Sequence, residues 1–223
     1  MSQELDQKPF DSTVFAENTE PRCPCVLLLD TSGSMSGDPI LQLNEGLRTF
    51  ETEIKADSLS AKRVEVAIVT FGPVSIDQEF VSVDQFYAPE LQTSGNTPMG
   101  AAVEKACELL DDRKKTYKAN GISYYRPWIF LITDGAPTDQ WSLAAQRVKQ
   151  AEAENRVLFF SVGVQGADME KLKQISNNPP VLLNGLDFRD LFQWLSNSMK
   201  RVSVSKIGEA IELPPMNWGQ ITT

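Results

Sequence analysis

Asp30, Ser32 and Ser34 occupy alternate residues of the stretch Asp30-Thr-Ser-Gly-Ser-Met35, directly after the apolar run Val26-Leu-Leu-Leu29. Side chains of alternate residues in an extended segment point the same way, so one carboxylate and two hydroxyls converge. All three donors are hard oxygens, which suit Mg²⁺, Mn²⁺ or Ca²⁺ rather than a thiolate-loving metal. The competing reading is a polar turn that ends a buried strand and caps a helix, a common use of Asp, Ser, Thr and Gly. Two further stretches bear on the choice. Leu91-Gln-Thr-Ser-Gly-Asn-Thr-Pro98 places Thr97 just ahead of a helical pattern, and Trp128-Ile-Phe-Leu-Ile-Thr-Asp134 ends as the first run does, apolar and then a carboxylate. Where these loops meet, Asp30, Ser32, Ser34, Thr97 and Asp134 surround one point. Two aspartates roughly neutralise a divalent ion, and five protein groups leave a position of its octahedron open. A carboxylate from a partner fits that position without stacking up uncompensated negative charge.

Composition narrows the chemistry. The 223 residues contain no histidine, which removes Ser-His-Asp and Cys-His catalysis and every His-ligated zinc site from this chain. The three cysteines, Cys23, Cys25 and Cys107, form no disulfide framework and indicate a reduced, cytoplasmic protein. Cys23-Pro-Cys25 lacks the second thiol pair a zinc site needs, so both are read as small buried residues. A formal charge of -9 argues against nucleic acid and anionic membranes as partners and suits a cationic ligand or a basic partner. The polar, acidic start carries no secretory signal, and no run is apolar enough to span a membrane.

The elements that must position the five oxygens alternate in type. Val26–Leu29 and Val64–Phe71 read as strands, the latter closed by Gly72-Pro73, and residues 74–86 as an edge strand with its connection. Asp38-Pro39 opens a helix whose face is Ile40, Leu43, Leu47, Phe50 and Ile54, with Asp38 as its cap. A second helix runs through Met99, Val103, Ala106 and Leu110, with Asp111-Asp112 at its solvated end. Strand 128–133 is followed by a helix through Leu143, Ala144, Val148 and Ala151, capped by Thr138 or Asp139. Then come strand 156–164, a short helix at 169–175, strand 181–183 and a long helix from Phe188 to Val202. Such alternation predicts one α/β domain, a doubly wound, mostly parallel sheet with helices on both faces, whose ligands bind at the carboxyl edge. Residues 1–22 hold five acidic residues and no apolar period, and are expected to be a mobile arm in which Phe10, Val14 or Phe15 offers a docking point. Residues 23–204 form the domain. Residues 205–223 form a tail that the adjacent Pro214 and Pro215 keep non-helical, with Trp218 as its anchor if it packs.

The three loop sequences together resemble the metal-ion-dependent adhesion site of a von Willebrand factor A domain: Asp30-Thr-Ser-Gly-Ser34, Thr97 within Ser-Gly-Asn-Thr-Pro-Met-Gly100, and Asp134 within Ile-Thr-Asp-Gly135. The resemblance covers residues 24–202. It implies a Rossmann-like domain in which Asp30, Ser32, Ser34, Thr97 and Asp134 hold Mg²⁺, with Mn²⁺ or Ca²⁺ as alternatives, and a protein partner supplies the last ligand. Within that family the chain is similar to the bacterial TerY-like branch, associated with tellurium resistance and stress responses and with protein kinases and metal-dependent phosphatases. The Leu213-Pro-Pro tail with Trp218-Gly carries this finer likeness.

The implied function is a non-catalytic, monomeric protein-interaction module. A rival is a Mg²⁺-dependent phosphoryl-transfer enzyme of the haloacid-dehalogenase type, which also ends its first strand in an aspartate. It needs a second acid two residues later, where this chain has Ser32, and a lysine near the site, where the loops have none. A scaffold with a vestigial metal site is the third reading. Trp141 is read either as a partner contact on the rim or as packing on its own helix. Tyr124, Tyr125 and Arg126 are read as an exposed patch or as support for the strand at 128–133.

Overall fold

The computed structural model describes residue 15 and residues 17–222. Seven strands form one sheet: β1 (Cys23–Asp30), β2 (Val64–Phe71), β3 (Val74–Ser82), β4 (Trp128–Thr133), β5 (Leu158–Gly163), β6 (Val181–Leu183) and β7 (Gly219–Ile221). Their order is β3-β2-β1-β4-β5-β6-β7. The five inner strands run parallel, and the edge strands β3 and β7 run antiparallel to their neighbours. The expected doubly wound α/β architecture is therefore present.

Strand β1 shows why the sheet is covered twice. All eight of its residues are buried, with Leu27 and Leu29 facing one apolar layer and Val26 and Leu28 the other. Period-2 alternation in a continuously apolar strand demands a helix layer on each side. On the first side lie α1 (Asp38–Lys55), through Leu43, Leu47, Phe50 and Ile54, and α6 (Phe188–Val204), through Leu191, Phe192 and Leu195. A short helix, α2 (Ser58–Arg63), follows α1. The other side is covered by α3 (Met99–Ala119), α4 (Ser142–Ala153) and α5 (Met169–Ile175). Helices α1 and α6 approach so closely that a Cβ on Gly46 would lie 2.5 Å from Phe192 Cδ2. Among the described residues no helix is long and apolar enough to cross a membrane.

Several local expectations differ from the structure. Asp38 is the first residue of α1, not its cap, which falls on Gly37. Asp111 and Asp112 lie within α3, paired with Lys114 and Lys115, because the helix continues to Ala119. Helix α2 went unpredicted: six residues carry no apolar period, and its signal is local, Asp57 Oδ1 accepting from the Ser60 amide at 2.7 Å. The described part of the expected N-terminal arm is packed. Phe15 is buried against Tyr117, and Arg22 is fully buried. Phe10 and Val14 lie outside the described residues. The tail docks through Trp218, whose ring centroid lies 5.5 Å from that of Trp194, and then adds β7 beside β6. Tyr125 and Arg126 support the sheet: the Tyr125 hydroxyl donates to the Ser205 carbonyl, and Arg126 Nε donates to the Val157 carbonyl.

Cys23, Cys25 and Cys107 are all buried and free, and burial pushes the Cys23 and Cys107 thiols up to about 12 and the Cys25 thiol higher still. A thiol held protonated and sealed from solvent is inert. Folded protein treated with iodoacetamide at about pH 8 is therefore expected to keep all three thiols unmodified, and denatured protein to lose them. Mass spectrometry distinguishes the two, and modification of Cys23 or Cys25 in the folded state would contradict the burial argument.

Candidate metal centre

The carboxyl edge of the sheet collects the three loops. In register, Leu29 of β1 lies beside Ile132 of β4, so Asp30 and Thr133 are neighbours across the two central strands. Asp30 is fully buried, and both its carboxylate oxygens are engaged. Oδ1 accepts from the Ser32 amide at 2.8 Å, and Oδ2 accepts from the Thr133 hydroxyl. The Ser32 and Ser34 hydroxyls are 3.0 Å apart, and the Ser34 hydroxyl donates to Asp134 Oδ1 at 2.7 Å. Thr97 approaches from the third loop. A Cβ on Gly135 would stand 3.3 Å from Thr97 Oγ1 and 3.9 Å from Asp30 Oδ2, so glycine there leaves room for both. All five sequence-predicted residues are thus brought together, Asp30, Ser32 and Thr97 buried and Ser34 and Asp134 toward the open side.

Backbone contacts hold the loops in this arrangement. Ser94 donates to the Thr31 carbonyl at 2.7 Å, and Gly33 donates to the Gly95 carbonyl at 3.1 Å. Gly95 adopts φ 70°, and a side chain there would collide with the Gly72 carbonyl. Thr97 is fixed through its carbonyl, which accepts from the Met99 and Thr138 amides at 2.8 and 2.9 Å.

Asp139, expected to cap the following helix, instead caps α3: Oδ1 and Oδ2 accept from the Gly100 and Ala101 amides at 2.9 and 2.8 Å. This ties the loop after β4 to the loop bearing Thr97. The cap crosses between helices because Gly100 lets α3 abut the Gln140 backbone, a contact no helical pattern reveals. Trp141 is half-buried and packs with the layer formed by α3 and α4. Thr133 is the site residue that motif reading missed. Its signal was a hydroxyl ending an otherwise apolar buried strand.

The electrostatics are one-sided. Burial raises the Asp30 carboxyl above the ordinary aspartate range, hydrogen bonds from Ser32 and Thr133 oppose this, and the Asp134 charge adds to it. Among the described residues no lysine or arginine pairs with Asp30 or Asp134. A buried carboxylate without a cation is costly, and five convergent hard oxygens are the donor set of a divalent ion, so the residues fit one. Among the described residues no group of three or more carboxylates or thiols is placed to hold a metal, so this centre rests on two carboxylates and three hydroxyls.

The family model described as von Willebrand factor type A domain matches residues 25–194. Inter-alpha-trypsin inhibitor heavy chain H2 of Sus scrofa is 30% identical over 164 residues, covering 69% of this chain and 17% of that protein. Heavy chain H4 of Sus scrofa is 26% identical over 197 residues, covering 79% of this chain and 20% of that protein. The chain thus spans about a fifth of the length of these curated relatives. Among solved structures, the pilus adhesin SpaC of Lactobacillus rhamnosus GG in its open conformation superposes with a TM-score of 0.65 at 16% identity, over 83% of this chain and 31% of that one. Proximal thread matrix protein 1 of the mussel byssus, solved with a zinc-occupied MIDAS motif, gives 0.54 at 15% identity, over 82% and 49%.

Proposed function

We propose that this chain, which belongs to the von Willebrand factor type A domain family, is a non-catalytic, metal-dependent protein-binding module. Asp30, Ser32, Ser34, Thr97 and Asp134 hold a divalent ion at the carboxyl edge of the sheet, and Mg²⁺ is the first choice for an all-oxygen set. The observation that carries this reading is the fully buried Asp30 carboxylate, which faces four further oxygen-bearing side chains and no protein cation. When bound, the ion supplies an open coordination position for a carboxylate of a partner protein. Ser34 and Asp134 lie on the open side, so a partner would approach the ion from there.

The finer setting is a bacterial stress-response system of TerY-like type, in which a protein kinase or a metal-dependent phosphatase is the partner. It rests on the Leu213-Pro-Pro tail and Trp218. The curated relatives are inter-alpha-trypsin inhibitor heavy chains and lend that branch no support. The three free, buried cysteines support the cytoplasmic part of the reading.

Calorimetric titration of the purified protein with Mg²⁺, Mn²⁺, Ca²⁺ and Zn²⁺, the last because of the mussel protein's site, tests the assignment. One-site binding is expected, lost in Asp134→Ala with circular dichroism unchanged. No heat and no melting shift with any of the four ions would remove the metal assignment. Hydrolysis of a generic phosphate ester, abolished by Asp30→Asn, would replace the binding module with the phosphoryl-transfer reading.

A further inference from the structure

At the edge of the sheet opposite Asp30 and Asp134, a cavity of about 1040 Å³ opens at the amino ends of β4 and β5. Trp128 and Leu158, the first residues of those strands, form its floor with Pro127. One wall is the end of α3, and the other is the segment from Lys206 to Leu213 that leaves α6 toward β7. Bonds at either end of that segment hold it: the Tyr125 hydroxyl to the Ser205 carbonyl at 2.7 Å, and Trp194 Nε1 to the Pro214 carbonyl at 2.8 Å. Between them Ile207 stays about half exposed, presenting apolar surface at the mouth.

The charge of this cavity runs against the composition. In a chain of net charge -9, six cations line it, Lys114, Lys115, Lys118, Arg126, Arg156 and Lys206, against two carboxylates. Three of the six are committed, Lys114 to Asp111 and Lys115 to Asp112 at 2.7 Å each and Arg156 to Glu154 at 2.6 Å. Lys118, Arg126 and Lys206 pair with no carboxylate among the described residues. The Arg126 guanidinium is fixed by the carbonyls of Val157 at 2.8 Å and Glu152 at 3.2 Å, through Nε and Nη2. Its Nη1 donates to no protein group among the described residues. Burial pulls this arginine below its ordinary range, opposed by the Glu152 charge. A fixed, partly desolvated guanidinium with an open donor edge is preorganised for an anionic group.

We propose that this cavity binds a short acidic segment of a partner protein, with one apolar side chain seated against Leu158 and Ile211 and flanking carboxylates met by Lys118, Arg126 and Lys206. The volume lies just above the roughly 300–1,000 Å³ that small-molecule sites occupy, which favours a segment of chain. Nucleic acid is disfavoured because Asp111 and Glu209 interrupt the cationic lining and the remaining surface is acidic. The cavity is remote from the metal face, so the two sites can be engaged at once.

The test is fluorescence anisotropy of a fluorescein-labelled octapeptide of Glu and Asp around a central Leu-Phe, in excess EDTA so that the metal face is silent. Saturable binding is expected, weakened roughly tenfold or more in the double variant Lys118→Glu, Lys206→Glu and when Leu-Phe is replaced by Gly-Gly. Both lysines are exposed, so an unchanged melting temperature should confirm that the variant folds. Absence of saturation, equal binding by the variant or by the Gly-Gly peptide, or binding that requires a divalent ion would each overturn the proposal. So would tighter binding of a labelled single-stranded oligonucleotide of equal charge.

Discussion

Replacing Glu65 by alanine is expected to destabilise the fold by about 3–5 kcal/mol, the effect of stripping the carboxylate from a buried ion pair. Glu65 is fully buried in β2. Its Oε1 accepts from Arg22 Nε at 3.0 Å, and its Oε2 accepts from Arg113 Nε at 2.7 Å and from the Tyr117 hydroxyl at 2.5 Å. Arg22 is itself fully buried, so the variant leaves its guanidinium with carbonyl partners at Asn18 and Glu20 and no carboxylate within ion-pair distance among the described residues. Burial alone would lower the Arg113 pKa, yet the Glu65 hydrogen bond and charge hold it above its ordinary range. Phe15 completes the cluster, with the Arg22 and Arg113 guanidinium carbons 5.4 and 5.1 Å from its ring centroid.

Guanidinium unfolding of three variants separates this account from generic mutational damage. Glu65→Ala is expected to shift most, by roughly 6–20 °C when read as a melting temperature for a chain of this size. Tyr117→Phe removes one hydrogen bond to a charged group and should cost about 1.5–3 kcal/mol. Lys115→Ala, which breaks an exposed pair with Asp112, should leave the midpoint where it is. A Glu65→Ala midpoint as close to wild type as that of Lys115→Ala would mean that the buried pair contributes nothing.

Glu65 also shows where sequence reading stopped. An acid in the second position of an otherwise apolar strand is a visible demand for a cationic partner, but Arg22 and Arg113 lie 43 and 48 residues away on segments with no period linking them to it. Phe15 and Arg22, both within the stretch expected to be a mobile arm, pack for the same reason: they meet a buried charge that needs them. By contrast, the strands at 26–29, 64–71 and 128–133 were legible because each is apolar and doubly covered, Asp30, Ser32, Ser34 and Asp134 because they follow two of those runs, and Thr97 because its polar loop precedes a helical pattern. Strand β7 was not, since three residues carry no alternation and only Trp218 announces an anchor. The Thr133 bond to Asp30 required knowing that β4 lies beside β1, and strand order is a property of the folded sheet.

Asp30→Asn is expected to abolish the ion-dependent rise in melting temperature while leaving the metal-free protein at least as stable as wild type. A ligand that binds only the folded state stabilises it by about 2.7 kcal/mol at a hundredfold excess over Kd, roughly 5–11 °C for a chain of this length. The variant loses that rise because the carboxylate at the buried centre of the oxygen set is gone. Its apo stability should hold for a separate reason. Asparagine is isosteric with aspartate, its Oδ1 can still accept from the Ser32 amide, and its amide nitrogen can donate to the Thr133 hydroxyl. What it removes is a charge that is buried with no cation beside it and raised by the neighbouring Asp134. Differential scanning calorimetry with Mg²⁺ and with EDTA reads both effects at once. A variant that melts well below wild type in EDTA would show that the Asp30 charge is structural, and a variant that still responds to Mg²⁺ would place the ion elsewhere. Only the crossing pattern, equal or higher without the ion and lower with it, is the signature of a carboxylate kept for a metal.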